Sequence, residues 1–459
     1  MSEAAELNRM TKGNDMNYTD LTEKLVRKCL SLGADAAEVY IESSRNLSIN
    51  VLNQEIETIE EASGHGAGFR VFREGRMGFS HCNDLNSKSL EETISKALAF
   101  AKLSTADMNN VLPEDMPSTP VADLYDESIA GVPMEKKISL ALELEKLALN
   151  SPGITKSSGA GFGEGETEVF IANSNGILKS YRSSACSLGV SLVAEKGEQK
   201  NTGGEYCTRV FFSDLAVPEE IAEKAASKAV LLLDPVMVTT QRAAVIFDAD
   251  VVRSLFGGVL GAIDGERVLQ GASFLKDFLN RKFASELITI IDDGTLPRNP
   301  SSSPFDGEGV PTRKLVLAEN GILKSYIYNT KAAKRAGVQG TGNASRRGFS
   351  SLPGIGTHKV YIQPGTSTPE EIIKNTAKGL YLKEVTGYGV DPVTGNFSGG
   401  AGGLWIVNGE IAHPVKGLTI AGKASDIFNA IDMAGNDTDM NKSFAAPTLR
   451  VAEMQIGGK

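Results

Sequence analysis

A chain of 459 residues is too long for one ordinary hydrophobic core, so two or three domains are expected. Apolar residues make up 41% and charged residues 23%, a balance that excludes a disordered or membrane-embedded chain. Lys and Arg number 47 against 57 Asp and Glu, a net charge of −10, which speaks against direct nucleic-acid binding because phosphate neutralisation needs clustered cations.

Residues 1–16 read as a flexible tail without the apolar segment of a signal peptide, and no run of about 18 apolar residues occurs. A cytoplasmic chain with no membrane partner is therefore expected. Cys29, Cys82, Cys186 and Cys207 lack any CxxC pairing and read as reduced, buried small hydrophobes.

Asp20 to Leu32 carries Leu21, Leu25, Cys29 and Leu32 near one face, which predicts an amphipathic helix stopped at Gly33. Val39 to Ile59 alternates apolar and polar residues and reads as a half-buried strand. Phe69 to Phe79 predicts a strand pair turning at Glu74-Gly75, and Ser89-Leu-Glu-Glu92 reads as a capping box opening a helix. Prolines at 113, 117, 120 and 133 mark a sub-boundary over 105–133, followed by a helix over Met134 to Leu149. Residues 154–212 are strand-rich with glycine turns, and Pro218 opens a helix running to about Leu233. Pro235 suggests the division: an N-terminal α+β domain over 17–235 and a C-terminal, β-rich α+β domain over 236–459. The fold class is α+β, with mixed, mostly antiparallel sheets and flanking helices.

Asn175-Gly-Ile-Leu-Lys-Ser-Tyr181 is identical to Asn320-Gly-Ile-Leu-Lys-Ser-Tyr326. Two readings stand: two tight hairpins that independently select Asn-Gly, or an internal duplication. Around the second copy, Asp306-Gly307-Glu308-Gly309 places two carboxylates on glycine-spaced, flexible backbone. Strand-like runs over Lys314 to Ala318 and Ile322 to Tyr328 flank Asn320-Gly321. Gly340-Thr341-Gly342-Asn343, followed by Arg346, reads as a loop of exposed amides. Together these segments look like one wall of a binding site.

Other chemistry is weakly signalled. His65, His81, His358 and His413 show no zinc spacing and no HExxH or HExxxH, and the adjacent His81 and Cys82 lack further ligands nearby. Gly417 to Lys423 nearly matches a phosphate loop, but Ala424 stands where a hydroxyl should be; the plain alternative is a strand-to-helix turn before a helix over Ala424 to Met433. Gly159, Gly161, Gly163 and Gly165 precede a strand, the wrong context for a dinucleotide fingerprint. No GxSxG elbow occurs.

The run FDGEGVPTRKLVLAENGILKSY, the Thr341-Gly342-Asn343 loop, Gly435-Asn436-Asp437 and Pro447-Thr448-Leu449-Arg450 resemble the TldD/PmbA family, long labelled modulators of DNA gyrase and now regarded as a two-subunit peptidase. The resemblance implies peptide trimming, including of toxin precursors and an antitoxin, from which the gyrase label derives. In TldD-like subunits an HExxxH segment and a C-terminal cysteine hold zinc. The matching segment here, Val251 to Gly265, has no histidine, and Cys207 is the last cysteine.

The resemblance therefore points to the PmbA/TldE branch: a chain without a zinc cofactor, partnered by a TldD-like zinc subunit, acting on extended peptides and pairing with itself when isolated. Asp306, Glu308, Gly309, Thr341, Gly342, Asn343 and Arg346 are the implied peptide-cleft residues. A stand-alone hydrolase using Asp306 and Glu308, and a regulator of gyrase or another assembly, are the alternatives.

Overall fold

The computed structural model describes residues 17–459; the tail expected over 1–16 lies outside the described residues. The N-terminal half runs α1 (Tyr18–Ser31), β1 (Ala36–Leu52), β2 (Glu55–Arg73), β3 (Arg76–Cys82), α2 (Ser87–Leu103), α3 (Met134–Leu149), β4 (Ile154–Asn173), β5 (Leu178–Lys196), β6 (Gln199–Arg209) and α4 (Pro218–Val230). Its strands form one antiparallel sheet in the order β3-β2-β1-β4-β5-β6. This sheet continues across the proline-bearing stretch, because β4, after it, pairs with β1, before it.

Strand alternation puts Val39, Ile41, Leu47 and Ile49 on one face of β1. Val39 and Ile41 pack with α1 and α2, and Leu47 and Ile49 with α3 and α4. All four helices therefore lie on the same side. The opposite face carries Glu38 and Tyr40, and at that end it meets the C-terminal half.

The C-terminal half runs β7 (Gln241–Phe247), α5 (Arg253–Ala262), α6 (Gly265–Leu269), β8 (Ile290–Asp293), β9 (Lys314–Glu319), β10 (Ile322–Leu323), α7 (Thr330–Ala336), β11 (Ala344–Ser345), β12 (Gly354–Ile355), β13 (Val360–Ile362), α8 (Pro369–Lys374), β14 (Lys378–Thr386), β15 (Asn396–Val407), β16 (Glu410–Lys423), α9 (Ala424–Asn429), β17 (Ile431–Ala434), β18 (Phe444–Ala445) and β19 (Leu449–Gly457). One sheet is ordered β16-β15-β14-β7-β19-β17, and β16 also pairs with β19, closing a ring around Val245, Phe247, Leu382 and Ile456. A second sheet is ordered β10-β9-β8-β13-β18. The α+β class with mostly antiparallel sheets holds; β7–β14 and β13–β18 are the parallel pairs. Among the described residues no helix is long and apolar enough to cross a membrane.

Several local expectations need correction. The run from Val39 to Ile59 is two strands, because Asn53 and Gln54 both take positive φ (55° and 63°) and reverse the chain without a glycine. The helix expected from a Ser89 capping box is capped by Asn86, whose side chain accepts the Ser89 amide at 2.9 Å. The run Ile322 to Tyr328 pairs as a strand only over Ile322–Leu323, and the helix after Lys423 ends at Asn429. Gly417 to Lys423 lies inside β16, where extended backbone cannot wrap a phosphate.

The identical heptapeptides adopt different turns. Asn320 and Gly321 both have positive φ (49° and 75°), as a two-residue hairpin requires. In the first copy only Gly176 does (98°), and the Asn173 carboxamide oxygen accepts the Asn175 and Ile177 amides at 2.9 and 3.1 Å.

Candidate functional site

The loop from Phe305 to Val310 is closed by its own first carboxylate. Oδ1 of Asp306 accepts the amides of Glu308 and Val310 at 2.9 and 3.0 Å, and Oδ2 accepts the Ala344 amide at 2.9 Å. Gly309, at φ 81°, lets the chain turn beneath Ile177, which would lie 2.8 Å from any Cβ added there. The Gly307 amide donates to Ala344 O at 2.8 Å, and Arg346 Nε donates to Gly307 O at 2.6 Å. The acidic loop and the 341–346 segment therefore form one unit.

An alternating chain of charges ties this unit to the N-terminal sheet. Arg346 Nη2 donates to Glu38 Oε1, Arg70 Nη2 to Glu38 Oε2 at 2.6 Å, and Arg70 Nη1 lies 2.8 Å from Glu308 Oε1. Glu308 Oε2 accepts the Thr330 amide at 2.8 Å, at the start of α7. All four side chains are buried, and their formal charges cancel. Burial works against the Glu308 charge, yet Arg70 and the Thr330 amide outweigh it and hold the carboxyl below the usual range. Asp306 is the fifth ionisable group and, among the described residues, has no cation of its own. Burial, then the neighbouring Glu308, push it from 3.8 up to about 7 against the pull of its three amides.

Behind Asp306 lies a small cavity of about 140 Å³ at the junction of the halves, bordered by Tyr40, Tyr181, Asp306, Arg346 and His358. Tyr40 carries the Arg346 guanidinium 4.9 Å from its ring centre, and burial raises the Tyr181 hydroxyl to about 12. Asn343 Nδ2 donates to Asp292 Oδ2 at 2.7 Å, while the His358 amide donates to Asp292 Oδ1 at 2.8 Å. Thr341 Oγ1 accepts the Tyr328 amide at 2.8 Å. Gly342, at φ 76°, approaches Pro311 O so closely that a Cβ would lie 2.6 Å from it.

The seven residues singled out in the sequence thus do come together, but not as an open, flexible loop. Asp306, Glu308 and Asn343 are buried and hydrogen-bonded to backbone or to one another's neighbours, and Thr341 and Arg346 are likewise occupied. Glu308 is closed off by Arg70 and the Thr330 amide, whereas Asp306, with both oxygens accepting amides, borders the small cavity behind it. Sequence reasoning missed Glu38, Arg70, Tyr40, Asp292 and His358. Glu38 and Arg70 sit on β1 and β2 amid ordinary strand alternation, and nothing local marks them.

Helix α5 is the segment that matches the zinc-binding stretch of TldD-like subunits. Its residues offer no imidazole, and its Phe256 is used in stacking on Phe428 at 4.8 Å. A Cβ on Gly258 would fall 2.1 Å from Val390 O, and one on Gly261 3.1 Å from Pro392. Loop 387–392 therefore lies directly on the helix surface. Among the described residues no group of three or more His, Cys, Asp and Glu could hold a metal ion. The donor set does not fit zinc.

Residues 240–458 match the PmbA/TldA metallopeptidase C-terminal domain, residues 127–233 its central domain and residues 37–101 its domain 1. The metalloprotease PmbA of Escherichia coli O157:H7 is 30% identical over 444 residues, covering 96% of each chain. A metalloprotease PmbA homolog of Haemophilus influenzae is 29% identical over 461 residues, covering 100% of each. The crystal structure of TldE from Thermococcus kodakarensis superposes with a TM-score of 0.86 at 26% identity, covering 95% of this chain and 99% of that one. The chain belongs to the PmbA/TldD metallopeptidase family.

Proposed function

We propose that this chain is the zinc-free, PmbA/TldE-like subunit of a TldD/TldE-type peptidase complex, acting in the cytoplasm on extended peptides. Helix α5 carries the reading: it has no metal ligand, and Val390 and Pro392 lie directly against its Gly258 and Gly261. A chain that cannot hold the hydrolytic cation needs a TldD-like partner to supply it, and in that partner's absence it pairs with itself. The buried unit around Asp306, Glu308 and Arg346 fixes the shape of one wall of the peptide cleft. The alternative of a hydrolase built on Asp306 and Glu308 is disfavoured because both carboxylates are consumed by amides and Arg70.

The test is elemental analysis and peptide cleavage with the purified chain, alone and mixed with an HExxxH-containing partner. Alone it is expected to hold far less than one zinc per chain and to leave unfolded peptides intact. Mixing should give cleavage that a chelator stops. One tightly bound zinc per isolated chain, with activity lost on chelation, overturns the proposal.

A further inference from the structure

A cavity of about 750 Å³ lies between the halves, with β6 and α4 on one side and the strand ends after β7 and in β14 on the other. Among the described residues β6 is the last strand of its sheet and pairs only with β5, so the outer edge of Asn201–Glu205 presents main-chain donors and acceptors to the cavity. Thr202, Gly203 and Gly204 line this edge, Gly203 being packed so tightly under α4 that a Cβ would lie 2.1 Å from Ala229 N, and Leu231 and Leu232 supply an apolar floor.

The charges of the lining are unequal. Lys228 bridges Asp250 at 2.5 Å and Glu205 at 2.7 Å, and Lys383 is 2.5 Å from Asp248. Glu384 is 3.6 Å from Lys416, which leaves Glu220 and Glu223, both exposed on α4 and without an ion-pair partner among the described residues, against Lys224 alone. The uncompensated sign is negative.

We propose that this cleft docks an extended, basic peptide segment as an added strand on the edge of β6, with its cationic side chains or N-terminal ammonium directed to Glu220 and Glu223. Main-chain pairing supplies affinity without regard to sequence, and the two glutamates select for positive charge. The inference rests on the reading of the chain as a peptide-handling subunit and adds a second peptide-contact surface, separate from the wall built by Asp306, Glu308 and Arg346.

The experiment titrates the full chain into a dye-labelled, unstructured, Lys- and Arg-rich peptide of about ten residues and follows fluorescence anisotropy. Saturable binding is expected, with no binding of an acidic peptide of equal length. Ser227→Trp, at an exposed α4 position lining the cleft, should weaken binding about tenfold or more. The double variant Glu220→Lys/Glu223→Lys, also at exposed positions, should do the same and serves if Ser227→Trp does not fold. Methylating alternate backbone nitrogens of the peptide should weaken binding without changing its charge. Absence of saturable binding, indifference to the folded cleft variants, or equal binding of the N-methylated peptide overturns the proposal. Co-purification with the zinc-bearing partner, run on the same proteins, separates the two readings: a complex that forms while peptide docking fails leaves the subunit assignment standing and removes only this one.

Discussion

Glu38 on the first strand and Arg346, 308 residues later, form an ion pair in which the side chains are 1% and 2% exposed. Glu38 also receives Arg70, so the junction between the two halves is made of charge buried on both sides. Such pairs are expensive to assemble, and their removal one partner at a time is more expensive still, because an uncompensated charge stays behind.

Arg346→Ala should accordingly destabilise the protein by about 3–5 kcal/mol, and Glu38→Gln by a similar amount. The double variant Glu38→Gln/Arg346→Met should cost clearly less than the sum of its parts. Denaturant unfolding measures all three, and simple additivity would show that the two side chains are not coupled.

Asp306 predicts a pH dependence. Its carboxyl is raised from 3.8 to about 7, so between these values the folded chain holds a proton that the unfolded chain has released. The group's contribution to stability is therefore most favourable near pH 4 and declines as pH rises to 7, by about 1.4 kcal/mol per unit at most, then levels off. From pH 5 to 7 the wild type should lose unfolding free energy relative to Asp306→Asn along this slope, with the difference levelling off above pH 7. A constant difference across that range refutes the assignment.

The two copies of the heptapeptide predict unequal responses to one substitution. At Gly176, with φ 98°, nothing lies within 4 Å of an added Cβ, so Gly176→Ala costs only the left-handed backbone, about 1–2 kcal/mol. At Gly321, with φ 75°, the Cβ would fall 2.1 Å from Ala284 O, adding overpacking of about 1–3 kcal/mol more. Thermal or denaturant unfolding of the two variants should rank them in that order.

Gly258→Ala places its Cβ 2.1 Å from Val390 O and should lift loop 387–392 from α5. Faster hydrogen exchange over that loop, with a loss of about 1–3 kcal/mol, is the expected result. Unchanged exchange would mean the loop does not depend on the bare helix surface.

What the sequence determined by itself was local. Hairpin turns at Glu74-Gly75 and Asn320-Gly321, the proline start of α4, the α+β class and the absence of a histidine-bearing segment at α5 all follow from residues within a few positions of one another. The residues gathered around Asp306 were also legible, as motif pieces spread over 305–346. Only the tertiary structure decided what they do. Reading glycine-spaced carboxylates as open and mobile failed because Arg70, the partner of Glu308, lies more than two hundred residues away on a sheet whose alternation advertises nothing, and Asp306 closes on the amides of its own loop and of Ala344. The identical heptapeptides diverged because Asn173, two residues before the first copy, holds its turn locally, whereas the second copy lies against Ala284 of another segment. Backbone preference acts between near neighbours in the chain, whereas burial and charge compensation depend on which distant segment the fold brings alongside.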